Sequence, residues 1–82
     1  MIPAPKIDVH GMNSEQACNL IRANLVSFYN RGYPELYIIH GHGQGILRQN
    51  IRAMLNYFPF IKKLRKGKHE EGGDGITVVI FK

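Results

Sequence analysis

One cysteine, no long apolar run and a stretch from Gln44 to Lys68 without a single carboxylate are the absences that constrain this sequence. Cys18 alone excludes an internal disulfide and fits a reducing, cytoplasmic setting. It sits beside an apolar helical stripe and reads as core packing rather than as a nucleophile. No apolar run approaches the length of a membrane span. The segment Met1 to Lys6 carries two prolines and lacks the apolar core of a signal peptide. There is no cluster of carboxylates, only Asp8 in a promising position, and two-metal nuclease chemistry needs such a cluster. Repeats and low-complexity segments are absent as well.

What is present suits one small globular domain. The chain has 82 residues, 44% of them hydrophobic, which is too many for disorder. Its net charge of +5 and pI near 9.7 favour an anionic partner without bearing on the fold. The excess is local: Arg48, Arg52, Lys62, Lys63, Arg65, Lys66 and Lys68 fall within the stretch that has no carboxylate. A solvated basic face is the plain reading, and contact with a nucleic-acid backbone is the stronger one.

In chain order, Met1 to Lys6 is expected to be an extended tail or the remnant of a linker, because Pro3 and Pro5 disfavour helix. Residues 7–82 then form the domain. Ile7 to His10 alternates apolar and polar residues at the strand period, with Asp8 and His10 on one face. Gly11 ends the strand. Asn13 and Gln16 form a capping box for a helix with an apolar stripe of Ala17, Leu20, Ile21, Leu25 and Phe28. Gly32 stops it, next to Arg31.

Leu36 to Ile39 is a second strand. A second helix buries Leu47, Ile51, Met54, Leu55 and Phe58 and ends at Pro59. Phe60 to Arg65 is a third strand, with Ile61 and Leu64 inward. Lys66 to Gly75 is a polar loop whose Glu70, Glu71 and Asp74 read as solubilising residues of a mobile rim. Ile76 to Phe81, apolar almost throughout, is the last strand. The order β-α-β-α-β-β predicts an α/β fold, with the first two strands parallel and the final pair antiparallel.

The chemistry gathers around His40-Gly41-His42-Gly43-Gln44-Gly45, between the second strand and second helix. Alternate glycines ahead of a helix let backbone amides approach an anion, at the positive end of the helix dipole. This is neither a P-loop nor a dinucleotide turn, since the Lys-Ser/Thr ending is missing and Ile46 stands where the last fingerprint glycine belongs. In parallel sheets ligands bind beyond the carboxyl ends of the strands. Asp8 and His10 lie at that end of the first strand, and His40 and His42 at that end of the second. The expected site therefore joins Asp8, His10 and His40 as catalytic residues. Gly41, His42, Gly43, Gln44, Gly45, Arg48 and Arg52 face the phosphate, and Lys62, Lys63, Arg65, Lys66 and Lys68 track the backbone. His40 or His10 would serve as general acid or base, and Asp8 would orient a histidine. A zinc site of the three histidines and Asp8 is the weaker alternative, because structural zinc sites favour closer-spaced Cys/His pairs.

Three segments resemble the motifs of the Smr (small MutS-related) domain. Ile7-Asp8-Val9-His10-Gly11 is similar to its L-D-L-[HR]-G, His40 to Arg48 to its glycine turn with a following Leu-Arg, and Gly72 to Val79 to its G-G-x-G-[VI]-T-V-V. The resemblance runs from Ile7 to Lys82 and is greatest to the C-terminal Smr domain of bacterial MutS2 proteins. Two residues depart from it: His42 stands where many members carry Lys, and His10 where many MutS2 members carry Arg. The resemblance implies a two-layer α/β sandwich like the C-terminal domain of translation initiation factor three. It also implies a nicking endonuclease acting on DNA in some members and RNA in others, with Mg or Mn as a conceivable cofactor. The implied partners are DNA foremost, RNA or the ribosome, and a larger MutS2-type ATPase of which the domain is a part. A non-catalytic nucleic-acid-binding module is the alternative from another class.

Overall fold

The computed structural model describes residues 4–43 and 45–82. Four strands and two helices follow one another as β1 (Lys6–Asp8), α1 (Ser14–Asn30), β2 (Glu35–Ile39), α2 (Ile46–Leu55), β3 (Ile61–Lys66) and β4 (Ile76–Phe81). The sheet order is β1-β2-β4-β3, with β1 parallel to β2 and β4 antiparallel to both of its neighbours. This is the expected two-layer α/β arrangement of a mixed sheet and two helices.

Strand alternation decides which face the helices cover. Ile7, Val9, Leu36, Ile38, Val79 and Phe81 point to one side, where Ala17, Ile21 and Leu25 of α1 and Ile51 and Leu55 of α2 complete the core. Asn13 caps α1 through the Gln16 amide at 2.8 Å, and the Gln16 side chain returns to the Asn13 amide, as the capping box predicts. Within the α1 stripe one member changes. Leu20 is 37% exposed, and Cys18, on the neighbouring row, is buried against α2 with its Sγ toward the Asn50 carbonyl. Helix α2 is shorter than expected. Pro59 disfavours helical backbone at the residue before it, and the last turn tightens through Tyr57 and Phe58 amides bonded to Met54 and Leu55 carbonyls. Phe58 still reaches the apolar layer, edge-on to Phe60.

At the start, pairing begins earlier than expected. Lys6 belongs to β1, and the Pro5 carbonyl accepts the Tyr37 amide at 2.9 Å. The part of the expected tail from Met1 to Pro3 lies outside the described residues.

The face away from the helices is covered by the β3–β4 connection. The register sets Tyr37, Val78 and Arg65 side by side across three strands. Glu71 reaches over them: its carboxylate accepts the Tyr37 hydroxyl at 2.7 Å, the Lys68 amide at 2.7 Å, and Arg65 through both terminal nitrogens at 2.8 and 3.2 Å. Val78 is thereby fully buried. The connection is two short 3₁₀ turns, His69–Glu71 and Gly73–Gly75, rather than a solubilising rim, and Glu71 is its anchor.

Arg65 first, then the Lys68 amide and the Tyr37 hydroxyl, lower the Glu71 pKa from 4.5 to about 2. A carboxylate lowered on folding stabilises the fold above its unfolded pKa and loses that contribution as pH falls through the folded value. The melting temperature of Glu71→Gln should therefore lie below that of the parent above pH 4.5, and the gap should close as pH approaches about 2. Thermal melts of the two proteins across this window check the point. A gap that does not change with pH would contradict it.

Candidate nucleic-acid site

Parallel pairing of β1 with β2 ends at Asp8 opposite Ile39, and the Val9 amide adds one further bond to the Ile39 carbonyl at 2.8 Å. The next residues out are His10 and Gly41. They are neighbours, since a Cβ built on Gly41 would lie 3.6 Å from the His10 Cβ. Asp8 turns its carboxylate along its own strand end. Oδ1 accepts the His10 amide at 3.1 Å and faces the His10 Nδ1 at 2.5 Å. The hydrogen bond from the ring, then that from the amide, holds the Asp8 carboxyl below its ordinary value. Both side chains stand in solvent, 69% exposed for His10 and 52% for Asp8. Among the described residues, the His10 Nε2 has no partner.

His40 has a different environment. It is 5% exposed, and its ring is bonded at both nitrogens. Nδ1 donates to the Gly41 carbonyl at 2.8 Å, which assigns the ring proton to Nδ1. Nε2 therefore accepts the Thr77 hydroxyl at 2.9 Å, and the Thr77 oxygen in turn accepts the Arg52 Nε–H at 2.9 Å. Burial lowers the His40 pKa, only partly offset by the Gly41 carbonyl, and the nearby Arg52, Arg48 and His42 lower it further. The ring is held neutral in one tautomer. Arg52 is drawn under the turn, and one of its terminal nitrogens, Nη2, is buried without a partner among the described residues.

The backbone of the turn requires glycine: φ is +82° at Gly41, +37° at Gly43 and +85° at Gly45. Gly45 caps α2 without any side-chain bond, and the first helical bond runs from the Gln49 amide to the Gly45 carbonyl. The α2 amides before Gln49 therefore face outward as donors. The Arg48 guanidinium folds against Gly45, where a Cβ would meet Nη2 at 2.9 Å. Opposite, the Gly75 carbonyl accepts the His40 and Gly41 amides at 3.1 and 2.9 Å, and the exposed His42 ring lies across Gly75 itself. A Cβ on Gly75 would come within 2.9 Å of the His42 Cε1.

The structure thus brings Asp8, His10, His40, Gly41, His42, Gly43, Gly45, Arg48 and Arg52 to one end of the sheet. Lys66 and Lys68 share that end, because β3 runs toward it. Arg65 is committed to Glu71, with Glu35 at 3.8 Å. Lys62 and Lys63 lie at the opposite end. Gln44 lies outside the described residues. Among the described residues no group of three or more His, Cys, Asp or Glu side chains is placed to hold a metal ion. That donor set does not fit a metal ion held by the protein alone.

Three contributors escaped the sequence reading: Thr77, Gly75 and Glu71. Thr77 had a legible signal, as the one hydroxyl in the apolar run Ile76–Phe81, where burial demands a partner.

Fold and site together define a small α/β domain whose strand ends present a histidine–aspartate pair beside an anion-ready glycine turn. The Smr domain model matches residues 7–82, and the chain belongs to this family. It is 45% identical over 78 residues to the endonuclease MutS2 of Clostridium perfringens, covering 95% of this chain, and 39% identical over 77 residues to that of Clostridium beijerinckii. It spans about 10% of the length of these relatives. Among solved structures, the Smr domain of Thermus thermophilus MutS2 superposes with a TM-score of 0.90 at 29% identity, over 96% of this chain and 99% of that one. YdaL, a stand-alone small MutS-related protein from Escherichia coli, shares the fold with a TM-score of 0.87 at 18% identity, over 94% of this chain and 63% of that one.

Thr77→Val tests the buried chain. It keeps the shape but leaves the His40 Nε2 without its donor and the Arg52 Nε without its acceptor. Each buried polar group left unpaired costs about 1–3 kcal/mol. Denaturant unfolding should show a loss in that range or above it, and a neutral substitution would refute the chain as drawn.

Proposed function

We propose that this domain cuts one strand of a nucleic acid at a phosphodiester bond, with His10 as the acid–base group. The observation that carries this reading is the His10–Asp8 pair set against the glycine turn. Asp8 accepts from Nδ1, so a neutral His10 offers its Nε2 lone pair outward, toward a phosphate held at the turn. That nitrogen takes the proton of the attacking water or ribose hydroxyl as its oxygen bonds to phosphorus. The departing ester oxygen leaves with its electron pair and is protonated by water, and the His10 imidazolium returns its proton to solvent to restore the neutral ring. Amides from Gly43 into the first turn of α2, together with Arg48, stabilise the charge that builds on the phosphoryl oxygens. His40 acts through others: its ring fixes the turn carbonyl on one side and the Thr77–Arg52 pair on the other.

The MutS2 relatives are named endonucleases, which supports phosphodiester chemistry and makes DNA the first substrate to test. RNA cleavage or a ribosomal setting is the alternative. We place the domain in the cytoplasm, working within a larger MutS2-type ATPase in the control of recombination. No helix among the described residues is long and apolar enough to cross a membrane. The burial of His40, with both nitrogens engaged, gives weight to a second reading: a module that grips nucleic acid without cutting it.

Incubating the domain with supercoiled plasmid and with structured RNA, with and without chelator, separates the two readings. Nicked product supports cleavage, whereas retention on nucleic acid without product supports the binding module. His10→Ala should slow nicking by about 10²–10⁴-fold, the usual loss for an acid–base group. Affinity and melting temperature should stay near those of the parent, because the side chain is exposed. Full-rate nicking by folded His10→Ala would remove His10 from the mechanism.

A further inference from the structure

Cations and carboxylates are sorted unequally between the two ends of the sheet. At the His10 end, beyond the mutually neutralising Arg65–Glu71 pair, the four cations Arg48, Arg52, Lys66 and Lys68 are matched by four carboxylates: Asp8, Glu15 in the first turn of α1, and Glu70 and Asp74 of the β3–β4 connection. The site end therefore has no net positive charge with its histidines neutral. At the other end Arg31, Lys62, Lys63 and Lys82 meet one carboxylate, Glu35, which turns toward Arg65. The positive charge that draws a polyanion lies away from the site.

An exposed aromatic ring lies at this same end, just past the end of α2. The turn from α2 to β3 alternates: Phe58 and Phe60 pack inward against each other, and Phe60 stacks on Tyr29, while Tyr57 is left 87% exposed with no ring partner among the described residues. The other three tyrosines are occupied, Tyr29 on Phe60, Tyr33 on Phe28 and Tyr37 by Glu71. The same turn is stitched to its neighbours by the Ile61 amide to the Phe58 carbonyl at 3.2 Å and the Lys82 amide to the Phe60 carbonyl at 2.9 Å. A register shift between Ile61 and Lys63 leaves Lys62 out of the ladder, exposed beside it. An accessible π-face at the same end of the domain as several cations suits unpaired nucleotides, the base stacking and the backbone meeting the charges.

We propose that the end of the sheet remote from His10, built from Tyr57, Arg31, Lys62 and Lys63, is a second nucleic-acid contact that holds a single-stranded flank of the substrate. This rests on the reading of the domain as one that acts on nucleic acid. The two contacts are four strand residues apart on β4, Ile76 to Ile80, roughly 13 Å. Stacked nucleotides at 3.4 Å each span that gap in roughly four steps. The remote end supplies most of the affinity, and the glycine turn selects the phosphate that reacts.

Fluorescein-labelled DNA hairpins with a single-stranded tail of about two or about twelve nucleotides distinguish the contacts, since only the longer tail reaches Tyr57. Affinity is read by anisotropy at several salt concentrations. The parent domain should bind the long-tailed hairpin about tenfold more tightly than the short-tailed one. Tyr57→Ala and the double substitution Lys62→Glu/Lys63→Glu should each remove most of that preference, and the double substitution should flatten the log–log salt slope by about 1.4. Equal melting temperatures of all proteins secure the comparison. If the parent binds both hairpins equally, or the variants keep its preference for the long tail, the second contact does not exist even though the site reading stands. If the parent binds neither, both readings fall together.

Discussion

A single hydroxyl ties the sheet to the helix layer at the site end of this domain. Thr77, on the central strand β4, donates a hydrogen bond to the His40 ring just past β2 and accepts one from Arg52 of α2. A polar group buried without partners is costly, so each of the three residues fixes the other two. The chain joins the sheet to the helix layer at the end where the strands stop. The Gly75 carbonyl adds the neighbouring bond, accepting the two amides that begin the glycine turn. The turn is thus rigid at its root, while its amides and the first turn of α2 are left open.

That constraint separates two histidines that look alike in the sequence. Burial and surrounding cations keep His40 neutral, and its ring has no nitrogen to offer a substrate. His10 stands outside, oriented by Asp8. The His40, Thr77 and Arg52 chain fixes the root of the turn, and Gly41 of that turn lies beside His10.

Much of this was legible in the sequence, for identifiable reasons. Hydrophobic periodicity gave the element order, Asn13 and Gln16 marked the start of α1, and the two parallel βα units implied that His10 and the glycine turn would meet. The rest depended on tertiary environment. Nothing in the spacing of Leu20 and Cys18 tells which of the two faces the second helix. Nor does a loop rich in Glu and Gly reveal that Glu71 would find Tyr37, Arg65 and an amide within reach at once. The basic run read as one surface because it is continuous in sequence. Strand direction divides it: Lys66 and Lys68 go to the site end and Lys62 and Lys63 to the other, while Arg52 and Arg65 turn to internal partners.

The proposed division of labour between an exposed His10 and a buried His40 is open to direct observation. Nitrogen-15 NMR of the imidazole rings, recorded through pH 6.5 with and without a non-cleavable phosphorothioate oligonucleotide, tests it most directly. His40 should still be neutral at pH 6.5 with its proton on Nδ1, because its pKa is lowered, and its ring signals should hold still on binding while those of His10 move. A His40 ring that protonates at or above 6.5 and responds to the oligonucleotide as His10 does would contradict the account.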